Sequence, residues 1–215
     1  MLLGKIEKRL AEAEFEHGRE AGSTLLIAVS KVQPNERVKG ALEQGHRCFG
    51  ENRVQEAASK WPAFRQQFAD IDLHLIGPLQ SNKARQAMEL FDSIHSLDRP
   101  KLAQTLARIA QDLGKCPDIF IQVNTGKETT KSGVFPEDTK RFIDICRTYG
   151  LKNIEGLMCI PPINDDSSKH FQIITDLTKE LGLGRSSIGM SDDYLEALDF
   201  DPKYVRLGTI LFGKR

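Results

Sequence analysis

Short runs of aliphatic and β-branched residues recur along the chain, and longer stretches of a different period separate them. The runs cover residues 24–30, 47–50, 73–76, 93–96, 119–124, 154–160, 187–190 and 204–208. Each has the length and composition of a buried strand. The intervening stretches have helical spacing. "PNERVKGALEQG" places Val38, Ala41 and Leu42 on one face, with Pro34 suited to a first turn and Gly45 to a stop. "RPKLAQTLARIAQDLG" carries Leu102, Leu106, Ile109 and Leu113 before Gly114. The segments 136–150 and 167–182 repeat the arrangement, Trp61 and Phe64 fall on another helix, and an extra amphipathic helix over 2–17 precedes everything.

Eight strands with a helix after nearly every one imply parallel strands joined by crossover helices. The count of eight favours a closed (β/α)8 TIM barrel, which 215 residues can build if the loops are short. An open doubly wound sheet is the alternative, because the runs near Arg47 and Ser93 are weakly marked. No linker, repeat or low-complexity tract divides the chain, so residues 1–215 read as one domain.

Composition narrows the function classes. The formal net charge is zero, so no basic surplus exists to neutralise a nucleic acid. No run approaches the ~18 apolar residues of a membrane span, and the charged N-terminus is not a signal peptide. Cys48, Cys116, Cys146 and Cys159 show no C-x-x-C spacing; reduced thiols in the cytoplasm are the simplest reading. The five histidines form no close metal spacing, so no metal is expected.

In either architecture ligands bind at the carboxyl ends of the strands. The first run, "LLIAVSK", ends in Lys31. A solvated lysine marking a strand exit is the plain reading. A lysine desolvated in a barrel mouth, with a lowered pKa and a nucleophilic amine, is the functional one. After the seventh run comes "GMSDD", where Ser191 suits a helix N-cap and free N–H groups would suit a phosphate; capping alone would also explain it. After the eighth comes "RLGTILFG". Gly208 admits close backbone approach and Thr209 adds a hydroxyl, where barrels commonly place a phosphate site. Arg206 projects from the same strand face as Gly208 and needs a partner, a neighbouring carboxylate being the simplest. A lysine on the first strand, an anion site after the last two and an arginine between them outline a ligand with an aldehyde, a phosphate and a polar ring. Pyridoxal 5′-phosphate (PLP) has all three.

"AVSK", "FGENRVQE", "HLIGPLQSNK", "KSGV", "GLMCIP", "GMSDD" and "VRLGTILFG" together resemble the YggS/PROSC family of PLP homeostasis proteins, in order and spacing, from about Leu25 to Gly213. The resemblance implies a single (β/α)8 barrel similar to the N-terminal domain of alanine racemase. It implies a Schiff base on Lys31, phosphate contacts at Ser191, Gly208 and Thr209, and Arg206 facing the pyridine nitrogen. An arginine there would leave that nitrogen unprotonated and the cofactor a weak electron sink. Asn52, His74, Ser81, Asn82 and Met158 match positions lining the family's pocket. Gln33 stands where the family often has a second lysine, Arg53 replaces a common aromatic residue, and "DFDPK" replaces a Gly- or Ala-rich turn. With Arg215 as the last residue, the final helix is expected to be missing or minimal.

Two functions on this barrel compete. One is a carrier that holds PLP reversibly and supplies PLP-dependent apo-enzymes. The other is an amino-acid racemase or decarboxylase, and racemisation needs a second base on the opposite face of the substrate. Tyr149, Tyr194 and Tyr204 are not obvious candidates, so the carrier is expected, as a monomer. A barrel binding a sugar phosphate without PLP is the third reading; Glu51 would be its main acid–base candidate.

Overall fold

The computed structural model describes residues 2–213. All eight runs form strands: β1 (Leu25–Val29), β2 (Cys48–Glu51), β3 (Asp72–Leu75), β4 (Ser93–Leu97), β5 (Asp118–Val123), β6 (Ile154–Cys159), β7 (Arg185–Ser187) and β8 (Tyr204–Leu207). Every neighbouring pair is parallel and the order is sequential. The sheet closes because β1 pairs with β8, from Leu25 opposite Tyr204 to Ala28 opposite Leu207. That pairing removes the open-sheet alternative. The weakly marked runs near Arg47 and Ser93 are strands paired on both sides, the second with a register shift between Ile94 and Leu97.

One strand differs from its expected span. β7 begins at Arg185 and leaves the ladder after Ser187. Its polar start did not read as strand, yet the Arg185 guanidinium is neutralised by Asp118 of β5 at 2.6 Å. At the other end Gly189 takes a positive φ of 86°, which turns the chain out of the sheet.

The helices are α1 (Leu3–Glu16), α2 (Asn35–Glu43), α3 (Val54–Gln67), α4 (Ala84–Leu90), α5 (Pro100–Leu113), α6 (Thr139–Thr148), α7 (Ser167–Glu180) and the single turn α8 (Thr209–Phe212). Their apolar stripes bury against the outer face of the barrel. Leu102, Leu106 and Ile109 of α5 do so, as do Phe142 and Ile143 of α6. α5 begins with Pro100 and ends at Gly114 in the left-handed region, as its sequence signals imply.

Strand alternation produces two cores. Leu26, Ala28, Phe49, Leu73, Ile94, Ile119, Leu157 and Leu207 face outward and pack with the helices. Ile27, Val29, Phe120, Met158 and Tyr204 pack with one another in a second cluster. The strands read as continuously apolar because both faces are covered. α1 lies beside the amino-terminal strand ends, where a cavity of about 370 Å³ separates it from β1 and β2. Buried Glu14 fastens the segment after α1: its carboxylate accepts from Gly22 N at 2.7 Å, Thr24 N at 2.6 Å and Ser23 Oγ at 3.1 Å. No helix among the described residues is long and apolar enough to cross a membrane.

Candidate functional site

Lys31 follows β1 in a turn and is partly exposed. By strand phase it continues the series Ile27, Val29, which belongs to the inner cluster. The turn is strained at the next residue. Val32 is β-branched and has φ of 58°, a conformation costing about 1–3 kcal/mol that persists only where the surroundings enforce it. Here the enforcement is visible: Val32 N donates to Glu56 Oε1 at 2.5 Å, and Gln33 N closes the turn on Ser30 O at 3.1 Å.

A buried polar network supports that turn from below. Glu51 is 0% exposed. Its Oε1 accepts from Ser30 Oγ at 2.8 Å, Lys60 Nζ at 2.9 Å and Trp61 Nε1 at 3.1 Å. Lys60 Nζ also donates to Ser30 O at 3.0 Å and Glu56 Oε1 at 3.2 Å. Burial raises the Glu51 carboxyl, with Lys60 and Ser30 opposing. The motif "FGENRVQE" therefore contributes two acids that shape the Lys31 turn. Glu51, considered as an acid–base group, is enclosed and committed to this network. Sequence reading missed Glu56, Lys60 and Trp61; the signal was the i, i+4 pair Glu56–Lys60 on one helix.

On the neighbouring strand, Arg206 pairs in register with Ile27 and is 5% exposed. The partner it needs is not a carboxylate. Nη1 donates to Ser187 O at 2.5 Å and Ser187 Oγ at 2.8 Å, and Nη2 donates to Cys159 O at 2.8 Å. The ends of β6 and β7 thus offer oxygens in place of an anion. Burial lowers its pKa from the ordinary arginine value. Met158, fully buried, packs nearby in the inner cluster with Ile27 and Val29.

The two candidate anion segments are tied together by Arg206 N donating to Gly189 O at 3.0 Å. The expected helix at Ser191 is not formed. Residues 191–195 make turns, and a 3-10 helix follows at Glu196–Phe200. The Asp193 carboxylate accepts from Met190 N at 2.5 Å. The Asp193 side chain folds back on the chain before it, and the partly exposed Ser191 hydroxyl stands before turns rather than a helix it could cap. Thr209 is exposed and opens α8, whose leading N–H groups have no intrahelical acceptor. Gly208 has φ of −119°, open to any residue. A methyl there would meet Val29 Cβ at 3.4 Å and no closer atom. The protein's own packing does not demand this glycine, which fits a position kept bare for a ligand.

The remaining predicted residues separate. Asn52 and Ser132 line a rim cavity of about 800 Å³ together with Arg53, Lys83 and Arg99. Gly77 presses on Asn52, and any Cβ there would fall 2.3 Å from Asn52 O. Ser81 begins a 3-10 turn at Ser81–Lys83, beside Gln80 of that cavity. Gln33 is buried and accepts from Arg37 Nη1 at 3.1 Å. His74 does not reach the rim: it is 0% exposed inside the barrel. Its Nε2 lies 2.9 Å from Asp72 Oδ2 and 3.4 Å from Cys48 Sγ. These three residues bring donor atoms within 4.8 Å of one another, an adjacency that chain spacing does not show.

A closed (β/α)8 barrel with a lysine after its first strand and a buried arginine on its last is the fold of the alanine racemase N-terminal domain. The family model described as "Alanine racemase, N-terminal domain" matches residues 16–215. The pyridoxal phosphate homeostasis protein of Pseudomonas aeruginosa is 38% identical over 221 residues, covering 99% of this chain and 94% of that protein. The one from Escherichia coli is 31% identical, covering 99% and 95%. The solved structure of PipY from Synechococcus elongatus with PLP bound is 36% identical with a TM-score of 0.78, covering 95% of this chain and all of that one. Alanine racemase from Clostridium difficile, 17% identical with a TM-score of 0.71, covers 97% of this chain and 56% of its own, a likeness of fold alone. The chain belongs to the pyridoxal phosphate homeostasis protein family.

Proposed function

We propose that this protein holds PLP reversibly as a Schiff base on Lys31 and acts as a carrier or buffer in PLP homeostasis rather than as a catalyst. The observation that carries the reading is the β1–β8 register, which sets Lys31, Arg206 and the Gly208–Thr209 turn along one edge of the barrel mouth. The PLP-bound structure of the similar PipY supports it. PLP supplies an aldehyde that condenses with a primary amine, releasing water. The chain's own residues divide the remaining work. The strained Val32 turn and the Glu51–Lys60 network fix where the Lys31 amine is presented. Ser191, Thr209 and the bare Gly208 backbone receive the phosphate. Arg206 has five N–H groups, three spent on protein oxygens, and meets the ring nitrogen with the others. Met158 forms apolar floor, and Asn52 and Ser81 belong to the rim.

The carrier reading is favoured over a racemase by where the tyrosines lie. Tyr194 is buried, and Tyr204 is buried at the amino-terminal strand ends with its phenol raised well above the usual range by burial. The His74 and His95 rings are sealed within the barrel. We further read residues 1–215 as one domain, monomeric and cytoplasmic, passing PLP to apo-enzymes.

The test is incubation with PLP, a visible spectrum, borohydride reduction and peptide mass mapping. The expected result is a yellow protein that bleaches and carries a pyridoxyl group on Lys31, with the adduct lost in Lys31→Ala. A colourless wild-type protein, or an adduct that persists on another lysine in Lys31→Ala, overturns the reading.

A further inference from the structure

The barrel interior holds more polar side chains than a PLP site uses, and five of them stand in one unbroken line. Arg206 Nη1 on β8 reaches Ser187 Oγ on β7 at 2.8 Å. Ser187 Oγ lies 3.0 Å from His95 Nδ1 on β4. His95 Nε2 lies 2.8 Å from His74 Nδ1 on β3. His74 Nε2 lies 2.9 Å from Asp72 Oδ2. Ser187, His95 and His74 are each 0% exposed. Phe120 stacks on His95 at 4.3 Å and 18°, and Tyr204 stands edge-on to His74 at 4.9 Å. The line therefore joins the proposed ring site to the partly exposed Asp72 at the opposite, amino-terminal end of the strands.

The chemistry of its two ends fixes its direction. A guanidinium only donates, and an ionised carboxylate only accepts. The Asp72 carboxyl is held below the usual range: burial opposes this, but hydrogen bonds from His74 and Cys48 prevail. His74 Nε2 must therefore carry a proton toward Asp72. The middle ring, His95, meets His74, Ser187 and Phe120 and, among the described residues, no acid, so a charge on it would have no counter-charge in contact. Burial presses the His95 imidazole well below its ordinary range, and the Arg206 charge adds to it. With neutral rings, His74 Nδ1 accepts from His95 Nε2–H, and His95 Nδ1 accepts from the Ser187 hydroxyl.

The geometry points to His95, with Ser187 and His74, as positioning residues that hold Arg206 in place through a one-way hydrogen-bond line ending on Asp72, with both imidazoles neutral and protonated on Nε2. Ser187 is thereby kept as an acceptor toward Arg206, and the guanidinium keeps a set orientation in the mouth. The functional half of this inference rests on the PLP reading above; the tautomers do not.

Two measurements test it. The first is the imidazole 15N–1H correlation spectrum of the PLP-free protein at pH 7.5. Both His74 and His95 should appear neutral with the proton on Nε2; a cationic ring, or an Nδ1–H tautomer at either, overturns the line. The second is PLP release from three loaded proteins: wild type, His95→Phe and His95→Gln. His95→Phe keeps a ring beside Phe120 but has neither acceptor nor donor, and release should quicken about tenfold, as expected for one lost hydrogen bond. His95→Gln retains an acceptor and a donor and should restore most of the retention. Equal release from all three overturns the positioning role. If the wild type forms no adduct, the PLP reading fails while the tautomers are still decided by the first measurement. If His95→Phe does not fold, Ser187→Ala takes its place, with the same tenfold expectation and the same refuting result.

Discussion

Replacing Lys60 by methionine removes one ammonium from beneath the Lys31 turn while keeping an unbranched side chain only one atom shorter. The structure sets both the size and the pH dependence of the effect. Lys60 is the only cation hydrogen-bonded to Glu51 among the described residues, and Glu51 is 0% exposed. Without Lys60 the carboxylate keeps only neutral donors, Ser30 Oγ and Trp61 Nε1. Breaking a buried pair in this way costs about 3–5 kcal/mol. Protonation of Glu51 limits the cost. In the unfolded chain a glutamate has a pKa near 4.3, so holding it protonated at pH 7 costs about 3.7 kcal/mol, at about 1.36 kcal/mol for each pH unit. The limit at pH 5 is about 1 kcal/mol by the same relation. The sign follows from the direction: burial already raises Glu51 in the wild type and raises it further in the variant. A carboxyl raised in the folded state penalises the fold increasingly as pH climbs above its unfolded value. Urea unfolding of wild type and Lys60→Met at both pH values should give a difference of about 3–4 kcal/mol at pH 7, falling to about 1 kcal/mol at pH 5. A difference independent of pH would refute the placement of an ionised Glu51 in the interior.

Two further outcomes check the geometry around the site. Gly189→Ala should destabilise by about 2 kcal/mol or more in urea unfolding, because φ is 86° and the new Cβ would lie 2.8 Å from Ala197 Cβ. Gly184→Ala, with nothing within 4 Å, is the neutral control, and equal effects would contradict the Gly189 turn. Glu14→Ala should cost about 2–4 kcal/mol by the same assay, since Gly22 N and Thr24 N lose a charged acceptor; a loss under about 1 kcal/mol would show that water replaces the carboxylate there.

Much of the fold was legible because each strand is buried on both faces and each helix on one, which leaves separate periods in the sequence. Closure was a matter of counting to eight; the β1–β8 pairing that achieves it lies between residues about 180 apart. Where sequence reading fell short, long-range neutralisation decided the outcome. Arg185 reads as loop, yet Asp118 from another strand lets it begin β7. Ser191 reads as a cap, yet the chain after it makes turns and a 3-10 helix rather than the expected helix.

By itself, the sequence determined the alternation of elements, the lysine at the end of the first strand, and the glycine and hydroxyl residues after the last two. These are local: a period, a strand end and a bare backbone position can be read within a few residues. The use of the polar residues on the inward phase of the strands was decided only by the tertiary structure. His74, His95, Ser187 and Arg206 come from four strands and have meaning only as partners of one another. Buried polar groups must be paired, and which pairs form is set by barrel closure, which brings together residues that no local pattern connects.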